Sequence, residues 1–315
     1  MNTTLPALSP KLLSACHQHQ TGVHLGRVAS FGVLFLVGAG GAVVAAERVS
    51  ASWQWWLLLP LYLLAGASLH GISLFTHEAV HGTLMKNRWW NGVLGAFCAM
   101  PVLQNFSAYR VLHLRHHAHL GEESDPDHYA AYTPWTWLIF AMNWLRLLVG
   151  YPIYITAIPL LGLKHGRWAE RVGIFIEVAA MALLVWSCLQ WLPPHWLLHG
   201  WLIPMIFINT MVNIRGMSQH TLLEHANDEV RGTRTILTTP LVRFFMCNEN
   251  YHLEHHLYPG VPWHHLPQVH QELRQPLLAA GAPFIPSHAS FVVEFVRDSV
   301  RRSPLGRKQR SGRPS

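Results

Sequence analysis

Long apolar segments separated by shorter polar ones are the dominant pattern of this chain. Each segment is about twenty residues long, which is the length that an α-helix needs to cross the hydrocarbon core of a membrane. The four segments are residues 28–46, 55–75, 172–192 and 195–213. The pattern therefore predicts an all-α integral membrane protein with four transmembrane helices.

Two further apolar segments do not fit a simple span. Residues 91–103 are too few to cross a bilayer, and residues 134–161 are interrupted by Arg146, Pro152 and Pro159. A proline inside a helix removes a backbone hydrogen bond, and a charge in the hydrocarbon core is costly. We expect both segments to lie at the membrane interface without crossing it.

The spans divide the chain into three predicted parts. Residues 1–27 are polar and form a cytoplasmic N-terminal segment, whose histidines, including His24, are expected at the surface. Residues 28–267 form the membrane domain. Residues 268–315 form a cytoplasmic tail that is first amphipathic and then basic.

The distribution of positive charge predicts the orientation of the spans. The loops 47–54 and 193–195 contain a single basic residue, Arg48, whereas residues 76–171 and the chain after Asn213 are rich in Lys and Arg. Positive residues concentrate in cytoplasmic loops. We therefore expect a multi-pass protein of a bacterial-type inner membrane, with both termini and residues 76–171 in the cytoplasm.

Composition and net charge agree with this class of protein. Half of the residues are hydrophobic, and only 12% are charged. The formal net charge of +7 arises mostly from the acid-free segment 301–315. A basic segment can bind nucleic acid, but beside apolar spans it suits an anionic membrane surface or solvated chain better, so we predict no nucleic-acid partner. The four cysteines form no CxxC pair, which argues against a cysteine metal site.

Three histidine motifs follow or flank the apolar segments and provide the candidate chemistry. They are HEAVH at 77–81, HLRHH at 113–117 and HLEHH at 252–256. Side chains three and four positions apart share one face of a helix, so each motif can direct its imidazoles at one point. The eight histidines are His77, His81, His113, His116, His117, His252, His255 and His256.

The number and position of these histidines favour a site for two metal ions. The predicted orientation places all three motifs on the cytoplasmic side, as a cap over the membrane helices. Imidazole suits iron, copper, zinc and nickel, and eight ligands exceed what one tetrahedral zinc can use. A histidine-rich solvated surface is the alternative, but it does not explain why the HxxHH spacing recurs beside apolar spans.

Four acidic residues near the motifs are candidates for orienting the imidazoles. A carboxylate can accept a hydrogen bond from the second ring nitrogen of a metal-bound histidine. The candidates are Glu78, Asp125, Asp127 and Glu254. For each of them the alternative is an ordinary solvated acidic position.

The three motifs, in this order and beside these spans, resemble the histidine boxes of the membrane fatty acid desaturase family, which also includes hydroxylases and carotenoid ketolases. The resemblance covers about residues 55–267, and the segment VPWHHLP at 261–267 also resembles the ketolases. It implies two irons held by the boxes and by one further histidine after the fourth span. By position that histidine is His220, preceded here by Gln219 where many members have Glu.

The resemblance also implies an activity and its partners. Members use dioxygen to oxidise acyl chains, most often by introducing a double bond, at a non-haem pair of irons. Electrons come from a ferredoxin or from a cytochrome with its reductase. No His-Pro-Gly-Gly motif of a fused haem domain occurs here, so the donor is expected to be a separate protein.

Two other classes of function remain open. HEAVH is also HExxH, the zinc metalloprotease signature, with Glu78 as the general base. The extended form of that signature needs a histidine where Asn87 stands, and this interpretation leaves both HxxHH motifs unexplained. A metal carrier or transporter is the other class, but its ligands are expected within the spans rather than beyond their ends.

Overall fold

The structure, a computed structural model, describes residues 7–16, 18–49, 53–129, 132–223 and 227–302. Its first helices are α1 (Pro10–Cys16), α2 (Thr21–Arg48), α3 (Gln54–Val80), α4 (Arg88–Ala99), α5 (Phe106–Ala118), α6 (Thr136–His165) and α7 (Trp168–Trp191). These are followed by α8 (Pro194–Leu197), α9 (Ile203–His220), α10 (Pro240–Phe245), α11 (His252–Leu257), α12 (Leu266–Ala279) and α13 (His288–Arg302). The described part is mostly helical, as the apolar pattern predicts.

Five helical segments in the described part are long and apolar enough to cross a membrane. They are Thr21–Arg48, Gln54–Val80, Thr136–His165, Trp168–Trp191 and Pro194–His220. Four of them coincide with the four predicted spans and extend beyond them, because the helices continue into polar sequence at the ends. The fifth is α6, which the sequence pattern assigned to the interface.

Helix α3 lies at the centre of the bundle because glycines allow its neighbours to approach closely. A Cβ atom on Gly38 of α2 would lie 2.7 Å from the backbone nitrogen of Ala65 in α3. On another face, a Cβ on Gly66 would lie 2.9 Å from the carbonyl oxygen of Pro204 in α9. Small residues allow this backbone approach between membrane helices, which lack a hydrophobic driving force for association.

Helices α2 and α3 form one hairpin, and α7 and α9 form another. The turns of the two hairpins meet at the end of the bundle opposite the histidine motifs. Glu47, at the end of α2, accepts a hydrogen bond of 3.0 Å from Trp196 Nε1 and pairs with His195 in the turn between α7 and α9. Gln54 at the start of α3 donates to the carbonyl of Ala45. The C-terminal ends of α3 and α9 consequently point together toward the other end of the bundle.

Helix α6 is kinked at Val149, where the backbone is non-helical. Pro152 has no N–H to donate to the carbonyl of Leu148, and the Nδ2 of Asn209 in α9 donates to that carbonyl instead, at 2.9 Å. The Oδ1 of Asn209 accepts from the backbone N–H of Tyr151 at 3.0 Å. One asparagine therefore replaces helical hydrogen bonds at the kink and ties α6 to α9.

Shorter elements cover the end of the bundle that carries the motifs. Besides α10–α13 they include two short parallel strands, β1 (Thr235–Ile236) and β2 (Phe284–Ile285), which the all-α prediction did not include. Phe291 and Phe295 of α13 pack against Met217 of α9, so the amphipathic part of the tail folds onto the membrane helices. The basic part of the tail after Arg302 lies outside the described residues.

The N-terminal segment departs from the sequence prediction. Helix α2 begins at Thr21, before the apolar run, and His24 is fully buried instead of lying at the surface. Its Nδ1 accepts a hydrogen bond of 3.2 Å from Nε1 of Trp263, which follows the third motif. The expectation for His24 was therefore wrong, because a contact 239 residues away in sequence leaves no local signal.

The close contact of α2 with α3 predicts a difference between two neighbouring glycines. Gly38→Ala should lower the thermal unfolding midpoint of the detergent-purified protein, since overpacking against backbone costs about 1–3 kcal/mol. Gly40→Ala is the matched control, because a Cβ there meets nothing within 4 Å. Equal midpoints for the two variants, measured by fluorescence-detected size-exclusion chromatography after heating, would contradict this packing.

Candidate metal centre

Four helices end at the same place and carry the predicted histidines there. His77 lies in the last turn of α3 and His81 caps it, whereas His220 is the last residue of α9. The second motif occupies the C-terminal half of α5, and the third motif forms α11. Asn105 fixes the direction of helix α5. Its Oδ1 caps the N-terminus by accepting a hydrogen bond from the backbone N–H of Ala108, and its Nδ2 donates a hydrogen bond of 3.0 Å to the carbonyl of Ile174 in α7.

Five of the histidines form one group. One ring nitrogen of each lies within 4.8 Å of all the others, and the group consists of His77, His81, His113, His117 and His255. Nε2 of His113 lies 3.0 Å from Nε2 of His81 and 3.1 Å from Nε2 of His117. All three sequence motifs contribute to this group.

The other four histidines form a second group beside the first. Ring nitrogens of His116, His220 and His256 lie within 4.8 Å of one another. Nε2 of His252 lies 3.0 Å from that of His220 and 3.1 Å from that of His256. The rings of His117 and His256 stack with centroids 4.1 Å apart and join the two groups. The structure thus brings together all nine histidines proposed from the sequence.

The environment of these imidazoles suits metal ions. Nε2 of His77 is buried and has no hydrogen-bond partner among the described residues, which is costly for a polar atom that no ligand occupies. Burial lowers the pKa of His252 to about 4 and holds the pKa values of His113, His255 and His256 well below the usual range. Neutral imidazoles present the lone pairs that a metal ion binds.

Asp125 is the predicted acid that contacts a histidine of the centre. Its Oδ1 lies 2.9 Å from Nδ1 of His116, and its carboxylate also accepts from the backbone N–H groups of Gly121 and Asp127. Although burial opposes both charges, this contact raises the pKa of His116 and lowers the pKa of Asp125. The carboxylate therefore fixes the ring while it holds the loop after α5 in place.

The other three predicted acids form no hydrogen bond to a histidine of the centre among the described residues, although a carboxylate oxygen of Glu78 lies within 4.8 Å of a ring nitrogen of His77. Glu78 accepts from Thr83 Oγ1 at 2.7 Å and faces the backbone N–H of Trp263, since the residue after His77 points to a different side of the helix. Glu254 bonds Thr235 and His270. The carboxylate of Asp127 bonds no histidine of the centre among the described residues. Glu78 thus connects α3 to the loop after α11, which does not favour its role as a hydrolytic base.

Glu249 is a buried acid that the sequence interpretation did not identify. Its Oε1 lies 3.0 Å from Nδ1 of His77, and its Oε2 lies 3.7 Å from Nδ1 of His252 and 3.8 Å from Arg215. Although burial opposes ionisation, the neighbouring His77 and His252 hold the pKa of Glu249 well below its usual range. One carboxylate therefore lies between one imidazole of each group, close to His77 and farther from His252. Its spacing of three residues before His252 was the available signal.

A cavity of about 370 Å³ opens onto both groups of histidines. His77 and His113 of the first group line it, as do His116, His220 and His252 of the second. Its lining on α6 includes the apolar residues Ile153, Ile158 and Leu161 as well as Arg146, and Tyr129 belongs to the same lining. The cavity can therefore bring an elongated, mostly apolar molecule alongside the centre.

Comparison with known proteins agrees with this arrangement. A family model described as fatty acid desaturase matches residues 53–288. The dihydrorhizobitoxine desaturase of Bradyrhizobium elkanii is 28% identical over 265 residues, which cover 74% of this chain and 72% of that protein. An sn-1 oleoyl-lipid 12-desaturase of Picosynechococcus sp. is 23% identical, covering 74% of each chain. A sphingolipid delta(4)-desaturase of Xenopus tropicalis is 26% identical, covering 82% of this chain and 77% of that one.

The position of Glu249 predicts that its charge supports metal binding by both groups. Glu249→Gln keeps the shape of the side chain and removes the charge that His77 and His252 face, so metal affinity should fall about 10–100-fold. Competition with a chelator, followed by metal analysis, measures this change. Glu123→Gln is the control, because Glu123 is exposed. An affinity equal to that of the unsubstituted protein would show that Glu249 only neutralises Arg215.

The lowered histidine pKa values predict that the metal-free protein loses stability in acid. His252 has a pKa of about 4 in the folded protein and near 6.5 when unfolded, so between these values the unfolded chain binds more protons. Stability should therefore fall as pH decreases from 7 to 5, by several degrees in the unfolding midpoint. His116 opposes this trend, but His113, His255 and His256 reinforce it. An unfolding midpoint that stays constant over this range would contradict burial of neutral imidazoles.

Proposed function

Because the chain belongs to the fatty acid desaturase family, we propose that this oxidoreductase introduces a double bond into a lipid acyl chain at a centre of two irons, using dioxygen. The observation that carries the proposal is the convergence of nine imidazoles in two adjacent groups, both of which contribute histidines to one cavity. Two of the relatives are an oleoyl-lipid desaturase and a sphingolipid desaturase, which supports a lipid-linked acyl substrate.

The two groups assign the ligands of the two irons. One iron would bind His77, His81, His113, His117 and His255, and the other His116, His220, His252 and His256. Two bound irons would supply the redox chemistry by which dioxygen, two electrons and two protons remove two hydrogens from neighbouring methylene groups and form two waters. Zinc fits imidazole ligands equally well but cannot take part in electron transfer.

The chain's own residues position the substrate and shape the site. The apolar wall of α6 holds the acyl chain and excludes water from the carbon that reacts. Gln104 fixes this wall, because its Oε1 accepts from Thr76 of α3 and its Nε2 donates to the hydroxyl of Tyr154 in α6, both at 3.2 Å. Asp125 and Glu249 hold their imidazoles in the orientation that the ligands need.

The contacts of α6 support a topology with four spans. Helix α6 passes Gly216 near the end of α9 and finishes at His165, just before α7. Because α7 and α9 form one hairpin, the start of α7 and the end of α9 share a side, so α6 need not cross the membrane. With four crossings and the positive charge inside, the whole centre faces the cytoplasm, where a separate ferredoxin or cytochrome could deliver electrons.

This topology predicts the labelling of two introduced cysteines by a membrane-impermeant thiol reagent. In intact cells the reagent should label Pro194→Cys, in the turn between α7 and α9, and should not label Glu123→Cys beside the centre. Cys188 is partly exposed and is replaced by Ser in both variants, whereas Cys16, Cys98 and Cys247 are buried. Labelling of Glu123→Cys in intact cells would contradict a cytoplasmic centre.

The function itself is tested by lipid profiling of cells that express the protein. Acyl chains with one additional double bond should appear only in the presence of oxygen, and His255→Ala should abolish them. His119→Ala is the matched control, because His119 bonds Glu122 on the outer side of the second motif. A hydroxylated product would indicate the hydroxylase branch of the family, and product formation without oxygen would refute the proposal.

A further inference from the structure

A second cavity, of about 320 Å³, adjoins the one beside the metal centre. Both cavities reach His116 and His220, and both include Asp127, Tyr129 and Arg146 in their walls. The second cavity does not reach Ile153, Ile158 or Leu161, and its lining adds the polar residues Asn143, His128 and Thr221 beside apolar ones such as Ile139 and Leu120. A molecule that extends from one cavity into the other therefore passes Arg146 and meets a larger share of polar groups in the second cavity.

The guanidinium of Arg146 is held at this boundary by its neighbours. A Cβ on Gly216 of α9 would lie 2.8 Å from its Nη2, and a Cβ on Gly150 of α6 would lie 3.1 Å from its Cγ. Its cationic carbon lies 6.0 Å from the centre of the Tyr129 ring. The side chain thus lies over two glycines, and a methyl group at Gly216 would displace it.

Two opposite charges at this boundary have no charged partner among the residues that the structure describes. Within the described part of the chain, neither Arg146 nor Asp127 forms an ion pair within 4.0 Å, whereas Arg110 pairs with Glu170 and Arg215 faces Glu249. Arg146 is half-buried, and a charge that is partly removed from water gains from a charged hydrogen-bond partner. An acyl chain alone supplies no such partner.

We propose that the second cavity binds a zwitterionic group at the polar end of the substrate, with its anion on Arg146 and its ammonium on Asp127. This inference rests on the proposed function and adds the class of head group. The planar guanidinium can bind two oxygens of a phosphate or carboxylate at once, and the carboxylate of Asp127 accepts hydrogen bonds from an ammonium. With the head held there, the acyl chain enters the first cavity toward Ile158 and Leu161, which fixes the distance from the head to the oxidised carbons.

Lipid binding measured without turnover tests the head group directly. The metal-loaded protein is analysed by native mass spectrometry in an equimolar mixture of dioleoyl phosphatidylethanolamine, dioleoyl phosphatidylglycerol and dioleoyl monogalactosyl diglyceride. Phosphatidylethanolamine should bind about 10–100-fold more strongly than the neutral galactolipid, the usual range for charge-assisted hydrogen bonds. Equal binding of the three lipids would overturn the inference whatever the reaction.

Four variants test the roles of Arg146 and Asp127 separately. Arg146→Gln should abolish the protein's preference for both phospholipids over the galactolipid. Asp127→Asn should abolish only its preference for phosphatidylethanolamine over phosphatidylglycerol. Gly216→Ala should act like a weaker Arg146→Gln, because its methyl group shifts a flexible side chain at little cost to folding. Arg110→Gln, outside both cavities, should leave every preference unchanged. A preference that survives both Arg146→Gln and Gly216→Ala would overturn the role of Arg146.

Kinetics with the same three lipids distinguish this inference from the proposed function. Arg146→Gln should raise KM for phosphatidylethanolamine about 10–100-fold and change kcat much less, since a contact to the head group is made equally before and during the reaction. A further arm with free 2-aminooctadecanoic acid distinguishes a lipid head from a free amino acid as the source of the zwitterion. Equal KM values for all head groups would refute the head-group inference alone. Absence of oxygen-dependent product from every substrate would refute the function, and the binding ratios would still decide the head group.

Discussion

The gathering of nine buried or half-buried imidazoles at one point is the constraint on which the rest of the structure depends. Their nitrogens lie as little as 3.0 Å apart, and Nε2 of His77 has no hydrogen-bond partner in the described part of the chain. Desolvation of so many polar rings costs free energy unless a ligand compensates it. Metal binding is therefore expected to contribute directly to the stability of the folded protein.

The surrounding fold meets this constraint by fixing where four helices end. Gly38 and Gly66 let α2 and α9 approach the backbone of α3, so the ends of α3 and α9 have a defined separation. Asn209 compensates the hydrogen bond lost at Pro152 and ties the kinked α6 to α9. The same kinked helix forms the apolar wall of the cavity, so membrane packing and substrate shape depend on one set of contacts.

The elements that sequence could predict are those with a periodic or local signal. Four of the long apolar helices follow from apolar length, and the three histidine motifs follow from the spacing of His77 to His81 and of the two HxxHH motifs. His220 follows from the family resemblance alone, since a single histidine has no spacing. The role of Glu249 could not be predicted, because the sequence does not distinguish an acid that contacts a histidine from a solvated one. The burial of His24 could not be predicted, because it depends on a contact to Trp263, which is remote in sequence. The kink of α6 and its packing against α9 depend on hydrogen bonds of Asn209, which the pattern of apolar residues does not predict.

The central claim is that the nine imidazoles hold two irons rather than one metal. Mössbauer spectroscopy of active protein enriched in ⁵⁷Fe, combined with protein quantification, tests this claim most directly. Because one group offers five imidazoles and the other four, the account predicts two irons per chain in two distinguishable environments. His220→Ala should diminish one signal selectively. Full activity with a single iron per chain, or with zinc in its place, would contradict the account.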